Sequence, residues 1–282
     1  MTTALRDTQT HIDVLIPAIE KDLGTLPFVI DGLRKYVNHP IGTIYIVSPS
    51  STAIRQLCRK KNCTFVNENT VLPITKKDIH YRSKTWERSG WLFQQLLKLS
   101  GDKICRNRHF LVTDADTVLI RPHTFFHNGK TVFYYRKWSH PEYFRIHTRL
   151  LGQKAASPKS FVNHYMLYDS VKLARMKRKI ESKCGVSWHA AILAKLNRKK
   201  QFGFSEFETY GNFVYTNYPG TVLLKPSLNK EFKKSIHAVP ASLRQQLSGS
   251  YRSLSFHKRG GYSLRSKATK QTVRPPILPL QL

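Results

Sequence analysis

Acidic side chains are scarce. The 282 residues hold 17 Asp and Glu against 47 Lys and Arg, a formal net charge of +30. The imbalance is local, since residues 1–50 sum to −1 and the remainder carries +31. Such a field favours anionic partners, whether nucleotide phosphates, lipid headgroups, acidic polymers or nucleic acid, and charge alone does not choose among them. Cysteine is also sparse. Cys58, Cys63, Cys105 and Cys184 form no CxxC pair, which argues against a zinc cluster or a disulfide scaffold and for free thiols in a reducing compartment. No stretch approaches the roughly 18 consecutive apolar residues of a membrane span. The polar start "MTTALRDTQT" has no signal-peptide core. The expectation is a cytoplasmic protein, at most peripheral to the inner face of the membrane. There is no internal repeat, no clean linker and no RRM, KH or zinc-finger pattern, so nucleic acid is not the expected partner.

What is present alternates. "HIDVLIPAI" (11–19) reads as a buried strand, "LPFVIDGLRKYV" as a helix, "GTIYIVS" (42–48) as a second strand. "SSTAIRQLCRKKN" reads as a serine-capped helix and "CTFVNEN" as a third strand. Residues 67–89 look irregular; "SGWLFQQLLKLS" (89–100) is amphipathic and leads to the strand "HFLVT". This β-α-β-α-β order predicts an α/β fold with a mostly parallel, Rossmann-like sheet flanked by helices. Further on, "TVFYY" (131–135) and "GNFVYTNY" (211–218) read as strands, and 171–183 and 187–200 as basic helices. The tail from Arg265 to Leu282, basic and then proline-rich, is expected to be disordered or extended.

Two of the few acids, Asp114 and Asp116 in "LVTDADTVLIRP", stand at the end of the "HFLVT" strand. Ligands of open α/β sheets bind beyond strand carboxyl ends, and side chains at i and i+2 of an extended segment share a face. Two such carboxylates suit a hard divalent cation that also takes phosphate oxygens. The competing reading is a pair of turn-capping aspartates. A second acidic pair, Glu206 and Glu208, lies in "GFSEFETYGN".

"LVTDADTVL" also fits the first motif of haloacid-dehalogenase-like phosphatases, with Asp114 as nucleophile. That fold would place the motif on its first core strand, whereas three strands precede it here. The whole order more closely resembles the GT-A fold of nucleotide-sugar glycosyltransferases. The shared features are a first strand ending at Pro17 with Glu20 after it, the helix "GWLFQQLLKL", the strand ending "DAD", a later acidic motif and a histidine in "SLSFHKR". Together "GWLFQQLLKL", "DADTVLIRP" and "SEFETYGN" resemble a bacterial GT-A-like family of unknown function.

The resemblance implies a GT-A domain over residues 10–262 and a metal-dependent glycosyltransferase. A nucleoside-diphosphate sugar would be the donor and a cell-surface, polysaccharide or lipid-linked glycan the acceptor. It implies Mn or Mg held by Asp116, Asp114 and His257, with Asp114 on metal or ribose, and Pro17 and Glu20 on the donor side. Glu206 first, and Glu208 second, would act on the acceptor hydroxyl, with Asn163 and His164 near the acceptor. Of the basic residues before the amphipathic helix, Arg82, Lys84 and Arg88, the choice for the diphosphate is Arg88, at a helix N-terminus that favours anions. Trp86, Trp91, Trp138 and Trp188 are core residues or a sugar-stacking platform. The alternatives kept are the phosphatase and a non-catalytic basic nucleic-acid-binding protein.

Overall fold

The computed structural model describes residues 9–257; the proline-rich tail of 265–282 lies outside them. Strand β1 (Ile12–Pro17) is buried throughout and leads to α1 (Leu26–Tyr36), β2 (Ile41–Ser48), α2 (Thr52–Lys60) and β3 (Thr64–Asn67). Ser51 caps α2, its Oγ accepting from the Ile54 amide at 3.3 Å. After an irregular stretch come α3 (Ser89–Lys98), the short α4 (Gly101–Ile104) and β4 (His109–Thr113).

These strands form one sheet in the order β3-β2-β1-β4, all parallel, and β8 (Tyr165–Asp169) closes it antiparallel to β4. Alternate residues face opposite sides, as a period of two requires. Leu15, Phe110 and Val112 join the core under α3 with Leu92, Phe93, Leu96 and Leu97. Val14, Ile16 and Leu111 join the core under α1 with Leu26, Val29, Ile30 and Leu33. Strand order reverses between β1 and β4, which opens a crevice beyond their carboxyl ends. Pro17 and Asp114 stand there.

The rest of the chain builds around that crevice. β5 (Thr117–Leu119) follows β4; β6 (Phe126–His127) and β7 (Lys130–Tyr135) form a hairpin; then come α5 (Pro141–Leu151), α6 (Ser170–Cys184), α7 (Trp188–Lys195) and α8 (Glu206–Asn217). β9 (Val222–Pro226) pairs parallel to β7. β10 (Asn229–Glu231) and β11 (Ser253–Ser255), separated by α9 (Ala241–Leu247), pair in parallel, and β11 runs antiparallel to β5.

Two sequence expectations are corrected. The basic helix expected over 187–200 ends at Lys195. Residues 211–217, read as a strand from Phe213, Val214 and Tyr215, are helical in α8, which Ser205 caps through the Glu208 amide at 3.2 Å. Gly211 is the reason the helix fits there: a Cβ on it would fall 2.5 Å from the Phe161 ring. The glycine costs helix propensity of about 1 kcal/mol but lets α8 close on the core.

Candidate active site

A cleft of about 570 Å³ lies over the carboxyl ends of β1 and β4. Its walls include Pro17, Arg88, Asp114, Asp116, His164, Glu206 and His257, residues far apart in sequence that were expected at one site. Asp114 follows β4, and its amide donates to the His164 carbonyl at 2.9 Å. Asp116 lies just before β5, and its carbonyl accepts from the Phe256 amide at 2.9 Å, which holds His257 beside it.

The carboxylates are not loose. Lys98, the last residue of α3 with only 8% of its side chain exposed, donates to Asp114 Oδ1 and, at 2.7 Å, to Glu206 Oε1. Burial disfavours the charge on Asp114, but Lys98 and His164 outweigh it and hold its pKa well below the usual range. Desolvation would lower the Lys98 ammonium pKa, but Asp114 and Glu206 in turn push it up. Glu206 goes the other way: burial raises its carboxyl despite Lys98.

Each aspartate of the pair also holds an imidazole. His164 Nδ1 lies 3.0 Å from Asp114 Oδ2, and His257 Nδ1 lies 2.8 Å from Asp116 Oδ2. The two rings pack with centroids 4.7 Å apart. Burial would lower the His257 pKa, yet the Asp116 bond and charge, aided by Asp114 and Glu231, raise it. His164 sits at φ 76°, a left-handed backbone that a histidine rarely adopts and that here aims its ring into the acidic end of the cleft.

His164, Glu231 and His257 offer donor atoms that all lie within 4.8 Å of one another. Glu231 escaped sequence reading because it belongs to β10, which only its pairing with β11 brings to the cleft. Asp22 escaped as well. It lines the cleft, and its carboxyl is raised chiefly by burial and further by the charges of Asp116 and Asp114.

Other candidates fall elsewhere. Glu20 is exposed, is not among the residues lining the cleft, and accepts from Ser51 Oγ at 2.6 Å. Glu208 also lies off the cleft wall. Its carboxylate accepts from Ser160 Oγ at 2.7 Å, Ser139 Oγ and the Phe161 amide at 3.2 Å each, and Asn212 Nδ2 at 3.0 Å. Asn163 is buried, its amide bonded to the Tyr134 carbonyl. Arg82 and Lys84 are exposed outside the cleft, and only Arg88 of that trio lines it. Trp91 and Trp138 line the cleft, whereas Trp86 and Trp188 pack with the core.

A family model described as "Family of unknown function (DUF6492)" matches residues 9–238. The chain belongs to this family. No curated protein matches the sequence. Among solved structures, this DUF6492 chain is similar to apo WbbM, a bifunctional glycosyltransferase. The two share 10% identity at a TM-score of 0.51, over 88% of this chain and 46% of that one. The match thus spans just under half of the WbbM chain. Further matches are the galactosyltransferase LgtC in complex with donor and acceptor sugar analogues, at 13% identity, TM-score 0.45 and 87% of each chain, and mouse xyloside xylosyltransferase 1 in its apo form. The latter shows 11% identity at a TM-score of 0.44, over 88% of this chain and 98% of that chain. The fold is of the GT-A type.

Proposed function

We propose that residues 10–262 form a metal-dependent glycosyltransferase domain that moves a sugar from a nucleoside-diphosphate donor to a cell-surface, polysaccharide or lipid-linked acceptor. The observation that carries this reading is the convergence of Asp114, Asp116, His164, Glu206, Glu231 and His257 in one cleft at the sheet's topological switch point. A haloacid-dehalogenase-like phosphatase fits less well, because Asp114 follows the fourth strand and its oxygens face Lys98 and His164.

The donor set fits a divalent cation of the manganese type. Two imidazoles and a carboxylate converge, and Asp116 and Asp114 stand behind the imidazoles at Nδ1, an arrangement that fixes ring orientation at metal sites. His164, Glu231 and His257 are the residues that would hold the ion, with Asp116 beside them. This shifts the expected ligand set, since Lys98 already occupies one oxygen of Asp114. When bound, the cation would offset charge on the departing nucleoside diphosphate.

The chain's own groups do the rest. Lys98 fixes the spacing of Asp114 and Glu206. Glu206 is the carboxylate assigned to the acceptor hydroxyl, and its raised pKa moves it toward the range where a base works near neutrality. Arg88, buried just before α3 and lining the cleft, is the residue assigned to the donor phosphates. Glu208 positions the 160–161 backbone and does not touch substrate. The basic exterior suits a cytoplasmic enzyme at an anionic membrane face or an acidic glycan.

The test is calorimetric titration of nucleoside diphosphates with and without Mn²⁺. Binding is expected to require the ion and to weaken about 10- to 100-fold in Asp116→Asn, which removes the anionic partner of His257. Unchanged metal-dependent binding in that variant would falsify the assignment.

A further inference from the structure

One flank of the cleft is built from aromatic rings and guanidinium groups rather than carboxylates. Trp138 lines it with 58% of its surface exposed, the largest exposure among the exposed large apolar side chains of the described residues. The indole is held in place: the His140 ring meets it edge-on at 4.4 Å, and the Arg136 guanidinium lies 5.2 Å from its ring centroid. His140 stacks face to face on Phe202 at 4.3 Å and 11°. Arg88 sits over Phe202 at 4.4 Å and over Trp91 at 4.7 Å, which joins this flank to the donor side. The backbone of Arg136 is pinned in both directions to Ser160, at 2.9 and 3.0 Å. The flank is therefore a prearranged ladder of π faces with guanidinium groups between them.

Each part has a chemical counterpart. An indole kept against water gains by covering its face, and a pyranose ring presents a C–H face of matching size. A guanidinium fork matches the two oxygens of a carboxylate or phosphate. Of the five carboxylates of the cleft, Asp22, Asp114, Asp116 and Glu231 come from the segments around β1, β4 and β10 and Glu206 from the start of α8, and none belongs to the 136–140 segment that carries Arg136 and Trp138. A negatively charged ring would be repelled there and drawn here, so charge alone would orient it with its neutral edge toward Glu206.

We infer that this wall is the acceptor subsite and that the acceptor is an anionic saccharide, its ring on Trp138 and its acidic group on Arg136. The inference rests on the glycosyltransferase reading for the word acceptor, but the binding site stands independently of it. The net charge of +30 favours the approach of polyanionic glycans to the protein as a whole.

Tryptophan fluorescence and calorimetry on the full chain, with Mn²⁺ and a nucleoside diphosphate present, test it. Trigalacturonate, neutral galactotriose and galactose 6-phosphate are the probes, with inorganic phosphate as control. Saturable binding of at least one charged sugar is expected, at least tenfold tighter than galactotriose and tighter than phosphate alone. Trigalacturonate against galactose 6-phosphate separates the two acidic groups. Trp138→Ala and Arg136→Gln should each weaken that binding about tenfold, with unchanged thermal midpoints and unchanged nucleoside diphosphate affinity. Equal binding of the neutral trimer, or binding of no saccharide, overturns the proposal. A loss of nucleoside diphosphate affinity in Arg136→Gln also overturns it, by assigning the guanidinium to the donor. If nucleotides fail to bind at all while charged sugars do, the catalytic reading falls and the saccharide site remains.

Discussion

The two flanks of the cleft are built on opposite plans. At the sheet edge, charged groups are locked to one another: Lys98 is buried between Asp114 and Glu206, and each aspartate of the pair holds a histidine. On the far wall, Trp138 is mostly exposed, with His140 edge-on to it and the Arg136 guanidinium beside its ring. The contrast teaches where rigidity is needed. Under the proposed function, a cation, which tolerates little error in donor position, would sit where ion pairs and strand ends brace the surrounding groups. A sugar ring on an indole would tolerate sliding, which suits a platform on the loop between β7 and α5.

The largest effect should come from breaking the brace. Lys98→Met removes the shared counter-charge between Asp114 and Glu206 and leaves only His164 on Asp114, and losing one partner of a buried ion pair costs about 3–5 kcal/mol. Urea denaturation should show a midpoint lowered accordingly with an unchanged slope. A loss under about 1 kcal/mol would mean that the brace is ornamental and the two flanks are not so different.

A smaller effect lies one layer behind. His123 is fully buried, with Nε2 3.1 Å from the Tyr165 hydroxyl, and Tyr165 adjoins His164. Burial lowers its pKa to about 3, with the Arg252 and Arg121 charges acting in the same direction against the Arg121 carbonyl bond. Burial likewise lowers His147 to about 4. A histidine with a depressed folded-state pKa stabilises the protein above its unfolded value of about 6.5, and that stability is lost as pH falls toward the folded value. Each should remove about 1.4 kcal/mol per pH unit below pH 6.5. Between pH 6.5 and 5, His123→Gln should show a shallower decline than the parent by about that amount. Identical slopes would sink the claim. Trp138→Ala should leave the slope untouched, as befits the other flank.

The same contrast explains what the chain discloses when read as letters. β1 through β4 and their helices follow from the hydrophobic pattern, because strands buried on both faces leave short continuous apolar runs and amphipathic helices leave a period of 3.6 in the sequence. Asp114 and Asp116 were legible because two acids at a strand end are conspicuous in so basic a chain. Glu231 was not, since β10 has three residues and reaches the site only by pairing with β11. Glu20 and Asp22 are two positions apart, and only the turn after β1, in which Asp22 accepts from the Ile19 amide at 3.0 Å, decides which one faces the cleft. Lys98 was not legible either, since nothing in the sequence marks the last lysine of an amphipathic helix as buried between two acids. Helix α8 misled because Phe213, Val214 and Tyr215 favour strands by propensity, which packing around Gly211 overrides.

The smallest predicted effect sharpens the chemistry of the braced flank itself. Magnesium prefers an all-oxygen shell and retains its waters, whereas imidazole nitrogens suit transition ions. With His164 and His257 both in the converging set, Mn²⁺ should bind about tenfold more tightly than Mg²⁺, equivalent to about 1.4 kcal/mol. Competition calorimetry on the chain without nucleotide measures the ratio directly. Replacing one nitrogen donor by oxygen, in His164→Asp, should narrow it, because the altered set resembles the oxygen shell that magnesium accepts. If the two ions bind equally in the parent chain, the histidines only buttress the aspartates. The cation would then belong to the carboxylates alone.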